Sequence, residues 1–266
     1  MESEVNPPTA TGPRPLVLAA DTTTPLLSLL ILGGDAPLAE IVSVQVETHS
    51  RRFFDHLAQL FRLARVEVEQ LDLLTVVTGP GSFTGVRVAM AALRGLAYPA
   101  RKPVYGVDSL DLQALRVGCS LPLLVLLEAG RGEVYAGFRH LSPTGNLTRP
   151  VSDRFGQPAQ ILPSLLGEVW PFGAHSPRRL GLVGTAAQRC LPDLAALASQ
   201  YNTHCIQPPV PDLSVEAWQL LPVAEGHLTP LARYATRLHH AQEAPRCTPC
   251  YIRPSDAELQ WSPRRE

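Results

Sequence analysis

The sequence predicts an α/β fold, in which buried strands alternate with amphipathic helices along the chain. The clearest evidence lies in residues 73–96, where a short apolar run rich in Val and Thr leads through a glycine turn into a longer apolar run. The first run has the length and composition of a buried strand, whereas the second is too long for a strand and is predicted to be a helix. Two more apolar strands and an amphipathic helix precede this unit.

The composition is that of an ordinary globular protein. The chain has 266 residues, 45% of them hydrophobic, which is enough for one large or two small domains. The net charge of −1 argues against a protein that holds nucleic acid alone through a broad basic surface. No apolar run reaches the ~20 residues of a membrane span. Five scattered cysteines suit a reducing compartment, so we expect a cytoplasmic protein.

The chain begins with a polar tail and a hairpin. Residues 1–15 are rich in Pro and Thr and are predicted to be a disordered tail. Two apolar strands at residues 16–20 and 26–32, joined by the polar turn 21–24, predict a β-hairpin. Residues 37–46 are predicted to be a third strand. Asp and Thr often form local hydrogen bonds in such turns, and that role explains the turn without any ligand.

A strongly amphipathic helix is predicted over residues 48–64. Its apolar side chains recur at helical spacing and form a wide stripe, and Ser50 is the predicted N-cap. His49 has no histidine at i+4, where Phe53 stands, so we interpret it as a helix-start residue rather than as a metal ligand or a base.

The turn between the strand and the second helix contains Gly79, Gly81 and Gly85. Glycine suits a backbone with a positive φ or one that passes close to another group, and a helix start offers free N–H groups to an anion. The turn is not a P-loop, because no lysine follows Gly85, and it is not a Rossmann turn, because the third glycine comes one residue late. A structural turn and an anion-binding turn both remain open.

The second half of the chain is predicted to repeat the first in weaker form. Strands at residues 122–128 and 134–141 form a second hairpin, which suggests an internal duplication. Ser109 is predicted to cap a short helix over residues 110–115. Further predictions are helices near residues 159–169, 191–199 and 214–221, a strand at 180–184 and an edge strand at 203–207.

Cys247 and Cys250 form a Cys-x-x-Cys pair near the C-terminus. A zinc site needs four ligands, and only His239 and His240 lie near in sequence. We therefore interpret the pair as two ordinary thiols.

Three stretches resemble the TsaB family. The main one is GPGSFTGVRVAMAALRGLA at residues 79–97, continued by residues 103–107 and by Ser109-Leu110; the others are His49-Ser-Arg and the ending Pro-x-Tyr-x-Arg at 249–253. TsaB proteins are the non-catalytic partners of TsaD in making threonylcarbamoyladenosine (t6A) on tRNA. The resemblance implies two ribonuclease-H-like lobes of the actin-like ATPase superfamily, with mixed β-sheets and helices. The expected divisions are an N-terminal lobe over residues 16–117, a smaller lobe over 118–254 and a loose tail over 255–266.

The resemblance also bears on metal and nucleotide binding. In TsaD the matching helix carries two metal-binding histidines at i and i+4, whereas this chain has Ser109 and Gln113, which lack the imidazole that transition metals favour. Asp108 and Asp111 remain as a weak pair of oxygen ligands, so we predict no metal site and no catalytic residue. The turn 21–24 resembles the phosphate-1 loop of actin-like ATPases, so ATP or ADP stays open as a cofactor. The candidate nucleotide contacts are Asp21, Thr22, Gly79, Gly81 and Ser82.

The first hypothesis for function is a scaffold subunit that stabilises and activates a TsaD-like protein without performing the chemistry. With a TsaE-like ATPase, the complex would transfer threonylcarbamoyl to adenosine-37 of tRNA, which this chain would meet only through the complex. The alternative is an actin-like ATPase or small-molecule kinase that uses Asp21 and the turn from Gly79 to Gly85. A metallopeptidase fails because the ligand-spaced histidines are missing.

Two helices carry more apolar surface than one sheet can cover. The helix over residues 51–64 has three phenylalanines, and the helix over 86–96 is apolar on nearly all faces. In TsaB proteins these helices pair with their counterparts in TsaD, and the isolated protein can self-pair into a homodimer. The predicted contact residues are Phe54, Leu57, Phe61, Met90 and Leu93.

Overall fold

The computed structural model describes residues 15–44, 49–169, 179–201, 203, 205–206, 216–250 and 252. Within these residues there are two β-sheets, six α-helices and a 3-10 helix at Val68–Gln70. The tails predicted over residues 1–15 and 255–266 lie outside the described residues, apart from Pro15. No helix in the described part is long and apolar enough to cross a membrane.

The first sheet contains five strands. They are β1 (Leu16–Asp21), β2 (Leu26–Gly33), β3 (Ala36–Val44), β4 (Leu73–Val77) and β5 (Val104–Val107). Their order is β3-β2-β1-β4-β5, with β1, β2 and β3 antiparallel and with β4 and β5 parallel to β1. The predicted hairpin and the strand before the glycine turn are confirmed.

The second sheet contains seven strands. They are β6 (Pro122–Gly130), β7 (Glu133–Leu141), β8 (Leu147–Thr148), β9 (Arg154–Gly156), β10 (Leu180–Val183), β11 (Cys205–Ile206) and β12 (Trp218–Leu220). Their order is β11-β12-β10-β6-β7-β8, and β9 also pairs with β7. The arrangement of β1, β2, β4 and β5 recurs in β6, β7, β10 and β12, because each set has one antiparallel hairpin and two parallel strands. This recurrence supports the internal duplication.

Helices pack on both faces of each sheet. They are α1 (His49–Ala64), α2 (Phe83–Ala100), α3 (Ser109–Val117), α4 (Pro158–Val169), α5 (Leu191–Gln200) and α6 (Thr229–His240). α1 and α2 cover one face of the first sheet, and α6 covers the other, although it comes from the far end of the chain. α4 and α5 cover the second sheet. α3 lies between the sheets, because Leu112 packs in the first core and Leu110 in the second.

A C-terminal segment, residues 246–250, also returns to the first sheet. The Gly106 N–H donates to the Arg246 carbonyl at 2.6 Å, and the Cys250 N–H donates to the Thr78 carbonyl at 2.8 Å. A Cβ atom at Gly106 would lie under 3.0 Å from the Arg246 carbonyl oxygen, so glycine is required at this crossing. The segment therefore runs directly over the end of β5.

Three local predictions are wrong. Where a helix was expected at residues 214–221, Trp218–Leu220 forms β12, because it pairs in parallel with β10 and β11 in a buried position. Ser109 does not cap α3, since the Asp108 carboxylate accepts the Leu110 N–H at 2.7 Å. α1 begins at His49, so Ser50 lies inside the helix rather than at its cap.

Candidate functional site

The two turns proposed for nucleotide contact meet at one edge of the first sheet. They follow β1 and β4, which are parallel neighbours, so their carboxyl ends lie side by side. The Ser82 N–H donates to the Thr23 carbonyl at 2.8 Å. A Cβ atom at Gly81 would lie under 3.0 Å from the Thr23 carbonyl oxygen, and one at Gly85 equally close to that of Thr22. The glycines are thus needed because the two turns are packed directly against each other.

Asp21 is already occupied by partners within the chain. One carboxylate oxygen accepts the Thr23 N–H at 2.9 Å and the Thr23 hydroxyl at 2.6 Å. The other lies 3.4 Å from Nη2 of Arg116, a buried side chain of α3. Burial lowers the pKa of Arg116, and the charge of Asp21 opposes this shift. An internal guanidinium therefore neutralises the carboxylate that would face a metal-bound phosphate.

The start of α2 is partly capped from within. The Ser82 hydroxyl accepts the Gly85 N–H at 3.2 Å, so one of the free N–H groups of the helix start has a partner. The Gly79 carbonyl accepts the Ser109 N–H at 2.7 Å, which joins the glycine turn to α3. Thr22 is buried, and its hydroxyl finds no hydrogen-bond partner within the described part.

Ser109 and Gln113 lie one turn apart on α3 and are each only 4% exposed. Neither Ser109 Oγ nor Gln113 Oε1 has a hydrogen-bond partner among the described residues. These are the positions at which the resemblance to TsaD would place metal-binding histidines. A hydroxyl and an amide are poor ligands for a transition metal, so the residues present do not fit such an ion.

The two aspartates left open as oxygen ligands are instead part of a buried ion-pair network that the sequence did not reveal. Arg139 on β7 is fully buried, and its Nε donates to Asp111 at 2.5 Å. It also donates to both carboxylate oxygens of Asp153, at 2.6 and 2.8 Å, and lies 3.4 Å from Asp108. Arg149 provides a second cation to Asp111. This network joins α3 to the second sheet.

Three carboxylates and two guanidiniums make up this network, so it carries one excess negative charge when all are ionised. Burial, reinforced by the neighbouring Asp111, raises the pKa of Asp108. Burial alone would lower the pKa of Arg139, but the hydrogen bonds and charges of the aspartates outweigh it and raise that pKa. An arginine among the apolar residues of a predicted strand was the one sequence signal for this cluster.

The Cys-x-x-Cys pair splits between two environments. Cys247 is buried in the first core, and its carbonyl accepts a hydrogen bond from Arg94 of α2. The Cys250 thiol donates to Asp108 at 3.0 Å, and burial raises its pKa to about 12. Cys247 is therefore a core residue, whereas the Cys250 thiol is held by a hydrogen bond to Asp108.

The five residues predicted to contact a partner differ in exposure. Leu57, Met90 and Leu93 are buried in the first core beneath α1 and α2. Phe61 is partly buried, whereas Phe54 is 55% exposed. Other large side chains that α1 and α2 expose are Leu63, Phe83 and Tyr98.

Comparison with known proteins shows which protein family this chain resembles. The family model described as TsaD, tRNA N6-adenosine threonylcarbamoyltransferase, matches residues 38–169. A Bacillus subtilis protein named tRNA threonylcarbamoyladenosine biosynthesis protein TsaB is 31% identical over 123 residues, 46% of this chain and 53% of that protein. The Haemophilus influenzae protein of the same name is 33% identical over 100 residues, 37% of this chain and 41% of its own. The chain is thus similar to proteins named TsaB over part of their length and to the TsaD family model. The matched parts of the curated relatives amount to 34% to 66% of their length.

A solved structure supports the fold. A Pseudomonas aeruginosa protein described as similar to the peptidase YeaZ superposes with a TM-score of 0.67 at 21% identity, over 90% of this chain and all of that chain. The expected α/β fold of two mixed-sheet lobes is thereby confirmed.

Proposed function

We propose that this chain is a non-catalytic scaffold subunit that pairs with a TsaD-like protein in the cytoplasm and activates it. The complex, with a TsaE-like ATPase, transfers threonylcarbamoyl to adenosine-37 of tRNA, and this chain meets tRNA only within it. The names of the Bacillus and Haemophilus relatives, which place those proteins in t6A biosynthesis, support this role.

The observation that carries the proposal is the pair Ser109 and Gln113. They stand where a catalytic relative would hold its metal, they are buried, and they supply no imidazole. The scaffold of the superfamily is therefore retained while the chemistry of its metal site is lost, which is what a subunit that supports a catalytic partner requires.

The packing of the two turns supports the same role over the alternative of an actin-like ATPase or small-molecule kinase. Phosphoryl transfer depends on cations and hydrogen-bond donors that are free to hold phosphate. Here Asp21 is neutralised by Arg116, and the glycine turn packs against Thr22 and Thr23. ATP or ADP would have to displace these contacts.

The partner surface is proposed on the outward side of α1 and α2. Phe54 offers an exposed aromatic anchor of the kind found in interface cores. Leu57, Met90 and Leu93 pack inward and would contribute mainly by holding the two helices in place.

The test is reconstitution with purified TsaD-like and TsaE-like proteins, tRNA and threonylcarbamoyl-adenylate, with t6A measured by nucleoside analysis. We expect modification only when this chain and the TsaD-like protein are both present. Phe54→Asp should weaken their association by about tenfold or more, whereas Leu38→Asp, a matched change on the exposed edge strand β3, should have little effect.

Two results would contradict the proposal. Threonylcarbamoyl transfer by this chain alone would show that it is catalytic. Steady ATP turnover that Asp21→Ala abolishes would favour the ATPase or kinase.

A further inference from the structure

The C-terminal segment of the described chain wraps around the outer edge of the first sheet. β5 is the last strand of that sheet, with α2 on one face and α6 on the other. Residues 243–250, called here the strap, follow α6, pass along β5 and reach the side of α2. Ile252 then packs in the core of the second sheet. The strap therefore runs from one face of the first lobe to the other and on to the second lobe.

Most of the strap is held through its backbone. The carbonyls of Glu243, Arg246 and Cys247 accept hydrogen bonds from Tyr105, Gly106 and Arg94, and the Cys250 N–H donates to Thr78. The side chains of the strap are mostly exposed. Segments with few apolar contacts open locally at a lower free energy than the sheets they cover. The strap is therefore an element that can leave β5 while the sheet stays folded.

Two cysteine side chains anchor the strap. Cys247 packs in the first core, and the Cys250 thiol donates to Oδ2 of Asp108 at 3.0 Å. Asp108 is buried, and its other oxygen accepts the Leu110 N–H and lies 3.4 Å from Arg139. A buried carboxylate that loses a donor pays a desolvation cost, so Asp108 favours the closed position of the thiol.

We propose that the strap is a redox-sensitive latch, which opens locally from the edge of β5 and is held open when a low-molecular-weight disulfide takes up the Cys250 thiol. A mixed disulfide has no S–H group and cannot donate to Asp108. The added group must also leave the partly buried position of Cys250. The inference does not depend on pairing with a TsaD-like protein, so the chain alone is enough to test it.

The chemistry requires the strap to open first. In the closed strap, burial and the charge of Asp108 raise the pKa of Cys250 to about 12, so almost no thiolate is present at neutral pH. Opening returns this pKa towards the ordinary value of about 8.5. The Cys250 thiolate then attacks one sulfur of the small disulfide and the S–S bond breaks. One thiolate leaves and takes up a proton, and Cys250 keeps the other half as a mixed disulfide.

The consequences of opening reach the junction of the two lobes. Release takes a donor away from Asp108, which caps α3 and belongs to the buried network of Arg139. It also frees the Gly106 N–H at the outer edge of the sheet. An open strand edge offers backbone groups to other chains. The state of one thiol is thereby coupled to the cap of α3 and to the edge of β5.

The test is hydrogen exchange of the folded full chain, followed by NMR at the Gly106 N–H. The Leu18 N–H, in a central strand of the same sheet, is the reference. Cys250→Ala removes the thiol donor and should speed exchange at Gly106 by about fivefold or more, with Leu18 unchanged. Cys250→Ser keeps a hydroxyl donor and should stay within about twofold of wild type. Circular dichroism checks that both variants are folded.

Oxidised glutathione is the probe for the redox step. Treated wild type should carry glutathione at Cys250 by mass spectrometry and show the fast Gly106 exchange of Cys250→Ala, and dithiothreitol should reverse both changes. Treated Cys250→Ser should keep the slow exchange. The inference is overturned if Cys250 forms no adduct, or if the adduct leaves Gly106 exchange unchanged. It is also overturned if exchange rises equally at Gly106 and Leu18, because a general loss of stability would then explain the result.

Discussion

The buried Arg139 gives the sharpest test of how the two sheets are joined. Replacing it by Met keeps much of the side-chain volume but removes the one cation that all three aspartates share. Asp108 and Asp111 are buried, and Arg149 is the only other cation of the network. Breaking a buried ion pair by removing one partner costs about 3–5 kcal/mol, so we expect Arg139→Met to lower Tm by roughly 10 °C at neutral pH.

The pH dependence separates this mechanism from a simple packing defect. Burial already raises the folded-state pKa of Asp108 and the charge of Arg139 opposes that rise, so without Arg139 this pKa should lie further above its unfolded value, near 3.9. A raised folded-state pKa contributes stability below the unfolded pKa, and this contribution is lost as pH rises through the folded value. The deficit of Arg139→Met relative to wild type should therefore shrink as pH falls from 7 towards 4.

The assay is urea unfolding followed by circular dichroism at both pH values. Arg154→Met is the matched control, because its pair with Glu168 at 2.5 Å is exposed and is expected to contribute only about 0–1 kcal/mol. Equal losses in the two variants, or a deficit in Arg139→Met that does not change with pH, would refute the view that the network acts through buried charge.

Two further predictions concern the turns and the cap of α3. Gly85→Ala should destabilise the chain by about 2 kcal/mol or more, because the new Cβ atom would clash with the Thr22 carbonyl oxygen. Gly95→Ala, where a Cβ atom meets nothing, should instead stabilise α2 by up to about 1 kcal/mol. Urea unfolding measures the free energy of unfolding of both variants, and equal effects would contradict the close contact of the two turns. Asp108→Asn should gain stability relative to wild type between pH 4 and pH 7, because burial raises the folded-state pKa of Asp108 and the wild type loses stability as that group ionises. If the difference in the free energy of unfolding between Asp108→Asn and wild type were the same at pH 4 and pH 7, burial would not be raising the pKa of Asp108 in the folded chain.

Local periodicity was enough to predict the first hairpin, α1 and α2, because each has a long apolar pattern with a clear period. It failed at Trp218–Leu220, since a short apolar run does not distinguish a strand from a helix and its parallel partners lie elsewhere in the chain. α6 went unpredicted because its apolar side, including Leu231 and Ala235, is defined by the first sheet, which is formed by residues near the start of the chain.

The candidate functional site could also be predicted only in part, because its contacts join segments that are distant in sequence. Residues of both turns were predicted as candidate nucleotide contacts, but the direct contact between the turns depends on backbone atoms that no motif records. Arg116 and Asp21 are 95 positions apart, and the partners of Arg139 come from α3 and from the loop before β9. Charge pairs between distant segments leave no local pattern, so neither cluster could be assembled from sequence.

Because α6 and residues 246–250 pack on the first sheet, that sheet is fully covered only late in protein synthesis. On the face formed by Val17, Ala19 and Leu30, α3 contributes Leu112, but the larger part of the helical cover comes from α6, and the segment that crosses the end of β5 comes from residues 246–250. A ribosome releases the strands of that sheet long before it releases either cover. The half of the protein that is made first is therefore completed last, and until translation ends a nascent chain must keep one apolar face of that sheet from other proteins.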